Sequence, residues 1–387
     1  MGVYSEYLDR QFSFEELSRE RKLQLARIAN LRGRDILVYA SDVNSNVPNS
    51  IDYSDELPFA DQLSNITSEN IDILIQTPGG LAEVVEDLVR IVRKKHKEVG
   101  IIVPGMAKSA GTIFAMAADE ILMGNLSALG PIDAQIVSNG KRFSADAFLE
   151  GLNKIRKKAA EDKKIELAYI PMLQNLSPGE IQHCENAQNF SKTLVTKWLK
   201  EYKFKNWTVH ESSQTPVSEQ ERENRANEIA SELCNHSKWL THGRSIGIEE
   251  LRELKLVITD YSKNPELNDA ITRYFTLLQM SFETNIYKIY ETPKSQIYRS
   301  INTSPPIENN PMQKLPNPLI VDFECGKCHG KLKMQINFNQ RFPCVEGTIP
   351  FPRNNLVKCP FCGAESNVLG LRQQLEAQTK RKIVDEV

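Results

Sequence analysis

The sequence has no long apolar run and no excess of charge of either sign. No stretch approaches the ~18–20 consecutive apolar residues that a transmembrane helix needs, and the N-terminus has no apolar core of the kind found in signal peptides. The 387 residues include 48 Lys and Arg against 50 Asp and Glu, which gives a formal net charge of −2. That balance gives no global reason to expect nucleic-acid or membrane binding. We therefore expect a cytoplasmic protein without membrane association.

Cysteine is scarce outside one short segment. Five of the seven cysteines lie between residues 325 and 362, a distribution typical of metal binding in a reducing compartment rather than of a disulfide framework. Two Cys-x-x-Cys pairs occur there, and together they predict a zinc ribbon that holds one structural zinc ion. The predicted ligands are Cys325, Cys328, Cys359 and Cys362. The alternative is a set of reduced structural thiols.

Four thiolates leave no open coordination position on a tetrahedral metal, so the predicted zinc site is structural rather than catalytic. A zinc ribbon can bind either a protein or a nucleic acid. The basic residues around the cysteines support nucleic-acid contact only weakly, because charged surfaces are common. The sequence therefore leaves the class of partner open at this end of the chain.

The stretch from residue 71 to residue 135 contains two unusual turns between a strand and a helix. In the first, the apolar segment Ile71–Ile75 predicts a buried strand. Pro78 ends that strand, Gly79 and Gly80 follow, and apolar residues at helical spacing then predict a helix. Paired glycines at this position leave N–H groups free at the positive end of a helix, which suits a developing negative charge. The alternative is an ordinary turn between strand and helix.

The second turn places a serine at the start of a helix. The segment Val99–Val103 predicts the next strand, Pro104-Gly105 ends it, and the small residues around Ser109 lead into another helix. The Oγ of Ser109 would lie at the N-terminal end of this helix, and the N–H of Ala110 would point to the same place. The alternative is that Ser109 only caps the helix, which is a common role of serine.

Two successive parallel βα units bring both turns to the same edge of one sheet, where sites of α/β proteins form. The pattern resembles the Clp protease/signal peptide peptidase A superfamily, which shares its fold with the crotonases, and within it the serine dehydrogenase proteinase-like family. The resemblance is strong over about residues 35 to 137. The matching segments are Thr77-Pro78-Gly79-Gly80, Ala107-Lys108-Ser109-Ala110-Gly111-Thr112, Ala117-Ala118-Asp119-Glu120 and Leu129-Gly130-Pro131-Ile132-Asp133-Ala134-Gln135.

The resemblance implies an α/β fold built as a ClpP/crotonase-like spiral of ββα units, serine peptidase chemistry and self-assembly into a homo-oligomer. Ser109 is then the nucleophile, and Gly79, Gly80 and Ala110 form the oxyanion hole. Asp133 lies 24 residues after Ser109, close to the interval at which Clp proteases carry their catalytic histidine. Related chains carry a Thr-His before an acidic helix, and their base matches His242.

A serine needs a base, because its hydroxyl is a poor nucleophile at neutral pH. Of the six histidines, His242 is the best candidate, with Asp133 to hold its tautomer. The alternatives are a surface histidine and an aspartate that satisfies nearby amides in a turn. A Ser-Lys dyad is the competing mechanism, and its lysine would come from Lys154, Lys157 or Lys158. These lysines stand in a charged, exposed context, whereas a catalytic lysine must be buried and uncharged.

Composition and spacing divide the chain into four parts. We expect an N-terminal helical segment at 1–33, a peptidase domain at 34–292, a Pro-rich linker at 293–318, and a zinc ribbon with a C-terminal helix at 319–387. Within the peptidase domain, we expect strands at 35–40 and 120–123. We expect helices at 61–70, in 145–204, at 219–235 and in 262–292.

Three functions follow from these observations. The first is a serine endopeptidase that hydrolyses peptide or protein substrates through Ser109. The second is a catalytically silent oligomeric scaffold whose zinc ribbon recruits a partner. The third is a crotonase-like acyl-CoA enzyme that uses the Gly-Gly oxyanion hole without Ser109, although no basic phosphate-binding site is evident near the first strand.

Overall fold

The computed structural model describes residues 2–44, 47–138, 140–210, 213–301, 316–379 and 381–384. The chain divides into two compact units, Met1–Ile301 and Asn302–Val387. In the described ranges, no helix is both long enough and apolar enough to cross a membrane. The segment 302–315, which holds most of the predicted Pro-rich linker, lies outside the described residues.

Eleven strands lie in the described part of the first unit, and the longest are the apolar segments rich in β-branched residues. They are β1 Asp35–Ser41, β2 Asn70–Gln76, β3 Glu98–Val103, β4 Met106–Ala107, β5 Glu120–Met123, β6 Ala128–Leu129, β7 Gln135–Ser138, β8 Lys141–Ser144, β9 Thr259–Asp260, β10 Ile286–Glu291 and β11 Gln296–Ser300. Seven of them form one sheet in the order β11-β10-β1-β2-β3-β5-β9. The pairings from β1 to β9 are parallel, whereas β10 and β11 are antiparallel additions.

Helices cover both faces of this sheet, because each central strand buries alternate side chains on opposite sides. The helices are α1 Val3–Asp9, α2 Phe14–Arg32, α3 Glu56–Ser64, α4 Ala82–Lys95, α5 Ala110–Ala115, α6 Ala145–Asp162, α7 Ile170–Gln174, α8 Pro178–Trp198, α9 Glu219–Cys234, α10 His236–Trp239, α11 Ile248–Glu253 and α12 Pro265–Phe282. Ile73 of β2 faces a core that includes α3, α4 and α5. Leu74 faces a second core, built largely by α2 and α12.

Several strands and helices agree with the sequence predictions. The strands β1, β2, β3 and β5 lie where their apolar segments predict them, and α1 and α2 occupy the predicted N-terminal helical segment. Helix α9 also lies within a residue of its predicted bounds. The four parallel strands that hold the two unusual turns could therefore be predicted from the hydrophobic pattern alone.

Three elements differ from the predictions. The helix expected at 61–70 lies earlier, at Glu56–Ser64, because the carboxylate of Asp52 caps the preceding turn at the Ser54 amide and Asp55 completes that cap. The helix expected in 262–292 ends at Phe282, and β10 follows it. Strand β11 occupies Gln296–Ser300, inside the segment expected as linker.

The second unit has a small core of its own. Its strands are β12 Leu319–Glu324, β13 Lys331–Ile336, β14 Thr348–Pro350, β15 Leu356–Lys358 and β16 Glu365–Asn367, and its helix is α13 Leu369–Thr379. The first three strands form one sheet and the last two form a hairpin. Buried apolar side chains from the strands and from α13 pack together, among them Met334, Ile336, Val357 and Leu375.

Candidate active site

The two turns predicted to meet at the sheet edge do meet. The amide of Thr77 donates to the carbonyl of Met106 at 2.9 Å, and the amide of Lys108 donates to the carbonyl of Thr77 at 3.1 Å. Gly79 has a φ of +107°, and a β-carbon added there would lie 2.7 Å from the Cβ of Ser109. Real β-carbons do not approach so closely, so only glycine fits against Ser109 in this conformation.

Ser109 has a strained backbone, and its side chain does not cap the helix that it begins. Its φ of 50° and ψ of −116° fall outside the usual regions for a residue with a side chain. Its hydroxyl makes no capping hydrogen bond to α5, so the cap alternative is wrong. A strained serine on a sharp turn from strand to helix is the arrangement called a nucleophile elbow, which exposes the Oγ to a substrate.

In the part of the chain that the structure describes, two backbone amides of these turns have no hydrogen-bond acceptor. The Gly79 amide donates to Thr77 Oγ1 at 3.2 Å. In the parallel bridge between Ile51 and Gly80, the Ile51 amide donates to the Gly79 carbonyl and the Leu81 amide donates to the Ile51 carbonyl. The Gly80 amide takes no part in these hydrogen bonds. Within the described ranges, neither the Gly80 amide nor the Ala110 amide donates a hydrogen bond. Of the three residues predicted for the oxyanion hole, these two keep a free donor.

Asp133 is buried and holds two histidines at once. Its Oδ1 lies 2.7 Å from Nδ1 of His242, and its Oδ2 lies 3.0 Å from Nδ1 of His236. Burial acts to raise the pKa of Asp133, but hydrogen bonds from His242, Ser144 and His236 outweigh it, so the pKa lies below its usual value. The carboxylate is therefore held ionised and can fix which nitrogen of each ring carries the proton.

His236 is the residue of this site that the sequence prediction missed. It lies at the start of α10, where its amide also donates to Oδ2 of Asp146 at 2.8 Å. The signal that could have found it is its position six residues before His242 in the same short segment. Both imidazoles are about three-quarters buried, and each points one ring nitrogen at Asp133.

A short ladder places the three chain segments of the predicted triad side by side. Strand β4, which ends two residues before Ser109, pairs with β6, which ends four residues before Asp133. Leu129 of β6 exchanges two hydrogen bonds of 3.0 Å with Ile246, which lies four residues after His242. The fold thus brings together the segments that carry Ser109, Asp133 and His242.

The lysines of the competing dyad mechanism are exposed. Lys154 binds Glu150 at 2.7 Å with about three-quarters of its side chain exposed, and Lys158 binds Glu166 at 2.5 Å with half exposed. Lys157 is exposed as well. The ion pair with Glu166 raises the pKa of Lys158, which is the opposite of what a lysine base requires.

The remaining four histidines lie elsewhere, and three of them have polar partners there. His96 lies buried with Nδ1 2.7 Å from the carbonyl of Ser68, and His210 and His329 contact Glu221 and Glu324. His183 lines a cavity of about 570 Å³. Neither Ser109 nor either histidine at Asp133 lines that cavity.

The four predicted metal ligands converge in the second unit. The Sγ atoms of Cys325 and Cys362 lie 3.7 Å apart, as do those of Cys328 and Cys359, and all four lie within 4.8 Å of one another. A tetrahedral zinc with bonds of about 2.3 Å separates its sulfurs by about 3.8 Å. The spacing of the four thiols therefore fits one metal ion.

Both Cys-x-x-Cys turns have the same backbone geometry. The amide of Cys325 donates to the carbonyl of Gly330, and the amide of Cys359 donates to the carbonyl of Ala364. In each turn a residue with φ between 50° and 70° follows the second cysteine, His329 in one and Gly363 in the other. Two matched turns of this kind present two thiols each to a shared point.

A family model described as ClpP-like SDH-type serine proteinase matches residues 50–173. The matched segment contains both turns, Ser109 and Asp133, and ends before the two histidines. The match confirms, over this segment, the family resemblance predicted from the sequence. Together with the mixed sheet flanked by helices, it also confirms the predicted α/β, ClpP/crotonase-like fold class.

Two proteins of Methanocaldococcus jannaschii are similar to part of the chain. The uncharacterized protein MJ0137 is 27% identical over 186 residues, which cover 48% of this chain and 52% of that protein. The uncharacterized protein MJ1495 is 34% identical over 95 residues, which cover 24% of this chain and 31% of that protein. The chain thus spans about half the length of one relative and about a third of the other.

Solved structures give weaker likenesses. An alanine mutant of the 1510-N membrane-bound stomatin-specific protease has a TM-score of 0.33 at 16% identity and covers 57% of this chain and 79% of its own. A monofunctional enoyl CoA isomerase from M. smegmatis has a TM-score of 0.20 at 15% identity and covers 41% of this chain and 91% of its own. These similarities concern the fold alone.

Proposed function

We propose that the first unit, whose residues 50–173 match the ClpP-like SDH-type serine proteinase family, is a serine endopeptidase with Ser109 as its nucleophile. The observation that carries the proposal is the contact between the Gly79 corner and the strained Ser109. Each of the two turns also contributes an amide, that of Gly80 or of Ala110, with no acceptor among the described residues. A hydroxyl next to two free amide donors is what acyl transfer requires.

In the first chemical step, the Oγ of Ser109 attacks the carbonyl carbon of a peptide bond and its proton passes to Nε2 of His242. Asp133 accepts a hydrogen bond from Nδ1 of His242, so Nε2 is left to take the proton. The negative charge moves to the former carbonyl oxygen, where the Gly80 and Ala110 amides donate to it. Loss of one such donor raises the barrier by about 3–4 kcal/mol.

In the second step, the tetrahedral intermediate collapses. The bond to the leaving nitrogen breaks, and that nitrogen takes the proton from His242 as the amine departs. A water molecule then repeats the sequence on the acyl ester of Ser109, with His242 again accepting and returning a proton. The products are a carboxylic acid, an amine and the free serine.

His236 and His242 form a matched pair for testing this assignment, since each contacts one oxygen of Asp133. A fluorophosphonate probe that reacts with activated serines would be applied to the native chain and to Ser109→Ala, His242→Ala and His236→Ala. We expect no labelling of Ser109→Ala, at least a 100-fold loss of rate for His242→Ala, and a loss of less than 10-fold for His236→Ala.

Equal labelling of the native chain and Ser109→Ala would refute Ser109 as the nucleophile. A larger loss in His236→Ala than in His242→Ala would exchange the roles of the two histidines and leave the nucleophile in place. The thermal unfolding midpoint of each variant reports whether it is folded. Mass spectrometry of the labelled peptide identifies the modified residue directly.

In the second unit, we propose that the four cysteines hold one structural Zn²⁺. The support is the sulfur spacing and the matched turns. Such a metal would join β15 and β16 to the turn between β12 and β13, because Cys325 and Cys328 follow β12 while Cys359 and Cys362 lie between the hairpin strands. A homo-oligomeric assembly, a peptide or protein substrate, a partner at the ribbon and a cytoplasmic location remain part of the proposal.

A further inference from the structure

The side chain of Lys108 occupies an unusual place between the segments of the candidate active site. Its Nζ donates to the carbonyl of Leu129 at 3.0 Å, to the carbonyl of Arg244 at 3.0 Å and to Oγ of Ser245 at 2.9 Å. Leu129 leads to the Asp133 turn, and the other two acceptors follow His242. The backbone of Lys108 itself precedes Ser109. One ammonium group therefore contacts the segments that carry all three members of the predicted triad.

We propose that Lys108 is a positioning residue that fixes the His242 segment and the Asp133 turn against the Ser109 elbow. The proposal rests on the proposed function, because it assigns Lys108 an effect on catalysis through His242. Lys108 is not the base in this account. It holds the base in place.

The path of the lysine stem supports this role. A β-carbon added to Gly130 would lie 2.8 Å from Cδ of Lys108 and 3.5 Å from its Cα. The stem therefore crosses Gly130 in close contact, and a larger residue at 130 would push it away. The contact belongs to the short ladder in which Ala107 pairs with Leu129. Lys108 is thus packed as well as hydrogen-bonded.

The number of acceptors matches the chemistry of the group. An ammonium has three N–H donors and no acceptor, and here three oxygens take them. Burial lowers the pKa of Lys108 to about 8, while the three acceptors favour the protonated form. A protonated amine with every donor occupied has no lone pair with which to accept the proton of Ser109. The hydrogen bonds to Arg244 and Ser245 also restrain the segment that carries His242.

A double-mutant cycle tests whether Lys108 acts through His242. The rate of fluorophosphonate labelling at Ser109 would be measured for the native chain, Lys108→Met, His242→Ala and the double variant. We expect Lys108→Met to lower the rate by about 100-fold, the order of loss that misplacement of a catalytic group causes. The double variant should be within about 2-fold of His242→Ala, because a displaced base and an absent base have the same effect.

Two further variants provide controls. Lys238→Met removes an exposed lysine of the same segment that binds Glu232, and it should label at the native rate. Lys108→Arg keeps the charge and the donors and should restore part of the rate lost in Lys108→Met. If Lys108→Met slows the His242→Ala background as strongly as it slows the native chain, Lys108 acts independently of His242 and the proposal is wrong.

Hydrogen exchange tests whether Lys108 holds these segments together, and it needs no catalytic activity. The amide of Ile246 donates to the Leu129 carbonyl that also accepts from Lys108. The exchange experiment uses a Ser109→Ala background. We expect Lys108→Met to speed exchange at residues 243–246 by at least 10-fold while β2 exchanges as before. Unchanged protection there would overturn the proposal, whereas equal labelling of native protein and Ser109→Ala would overturn the proposed function alone.

Discussion

The chemistry of this site depends on single residues whose replacement by a close relative is sterically excluded. Gly79 is the clearest case, because its positive φ and its contact with Ser109 both exclude a β-carbon. Gly80 is a second case, since a β-carbon there would lie 2.2 Å from the carbonyl oxygen of Ile51. The pair of glycines in the sequence therefore marks a close approach of main chains rather than a flexible loop.

Gly79→Ala should remove labelling of Ser109 by a fluorophosphonate and destabilise the first unit by about 1–3 kcal/mol, since the added methyl group meets Ser109 and the φ is unfavourable. Gly151→Ala is the matched control, because Gly151 lies within α6 with nothing near its missing β-carbon. That control should label normally and be about 0.5–1 kcal/mol more stable. Chemical denaturation measures the stability of each variant, and the labelling rate measures the reactivity of its serine. Full labelling of Gly79→Ala would contradict the proposed contact.

Asp133→Asn should cost about 1–3 kcal/mol of stability at pH 7, because the amide that replaces the carboxylate cannot accept from both histidines. The pKa of Asp133 is lowered in the folded protein, so its contribution is present above the unfolded pKa of about 3.9 and is lost as the pH falls through the folded value. The difference in unfolding free energy between the native protein and the variant, measured by urea denaturation at each pH, should therefore shrink below about pH 4. A difference that stays constant down to pH 2 would contradict the lowered pKa.

At the scale of elements, a buried polar cluster holds the segment that pairs with Gly80. The Nζ of Lys288 in β10 lies 2.7 Å from Oδ1 of Asp55 and 2.7 Å from the carbonyl of Ser50. Tyr39 also donates to Asp55, at 2.9 Å. Ile51 lies inside this segment and accepts the Leu81 amide. The cluster therefore fixes the segment with which the Gly79-Gly80 turn pairs.

Lys288→Met should destabilise the first unit by about 3–5 kcal/mol, because it leaves the carboxylate of Asp55 buried without its cation. It should also slow labelling of Ser109, since the partner of Gly80 is no longer fixed. The control is Lys294→Met, at an exposed position three residues after the end of β10. Denaturant midpoints of the two variants decide the matter. A loss below about 1 kcal/mol for Lys288→Met would show that the cluster is not holding the segment.

The same cluster shows what the sequence could and could not predict. Strands β2, β3 and β5 were predicted because each is a local apolar run. Strand β10 was not, because it contains the buried charges of Lys288 and Glu291, whose ion-pair partners lie more than 200 residues away. The hairpin of β7 and β8 was missed for a related reason, since most of β8 is polar and partly exposed. A local window carries no information about such pairings.

The residues of the candidate site also fall into two groups, those that the sequence predicts and those that only the structure shows. Ser109 and its flanking glycines stand in two contiguous motifs, and the four cysteines have a recognisable spacing. His236 and the three contacts of Lys108 depend on how β4, β6 and residue 246 pair, which only the tertiary structure shows. The sequence analysis did not predict where the amine of Lys108 would bind.

At the scale of the whole molecule, the two units should respond differently to loss of metal. Zinc content would be measured by elemental analysis, with one ion expected per chain and none in the Cys325→Ser/Cys359→Ser variant. A chelator should increase hydrogen exchange in β15 and β16, because the metal supplies folding energy to a small core. Exchange in β2 should not change. Absence of bound metal from protein purified without chelator would contradict the zinc proposal.

In the proposed mechanism, two backbone corners present their amides to the point that Ser109 attacks. The most direct test is a crystal structure of the chain after reaction with a fluorophosphonate, whose phosphonyl oxygen stands in for the oxyanion. We expect a covalent bond to Oγ of Ser109, with the phosphonyl oxygen within about 2.7–3.1 Å of the Gly80 and Ala110 amide nitrogens. A phosphonyl oxygen that contacts neither amide would contradict it.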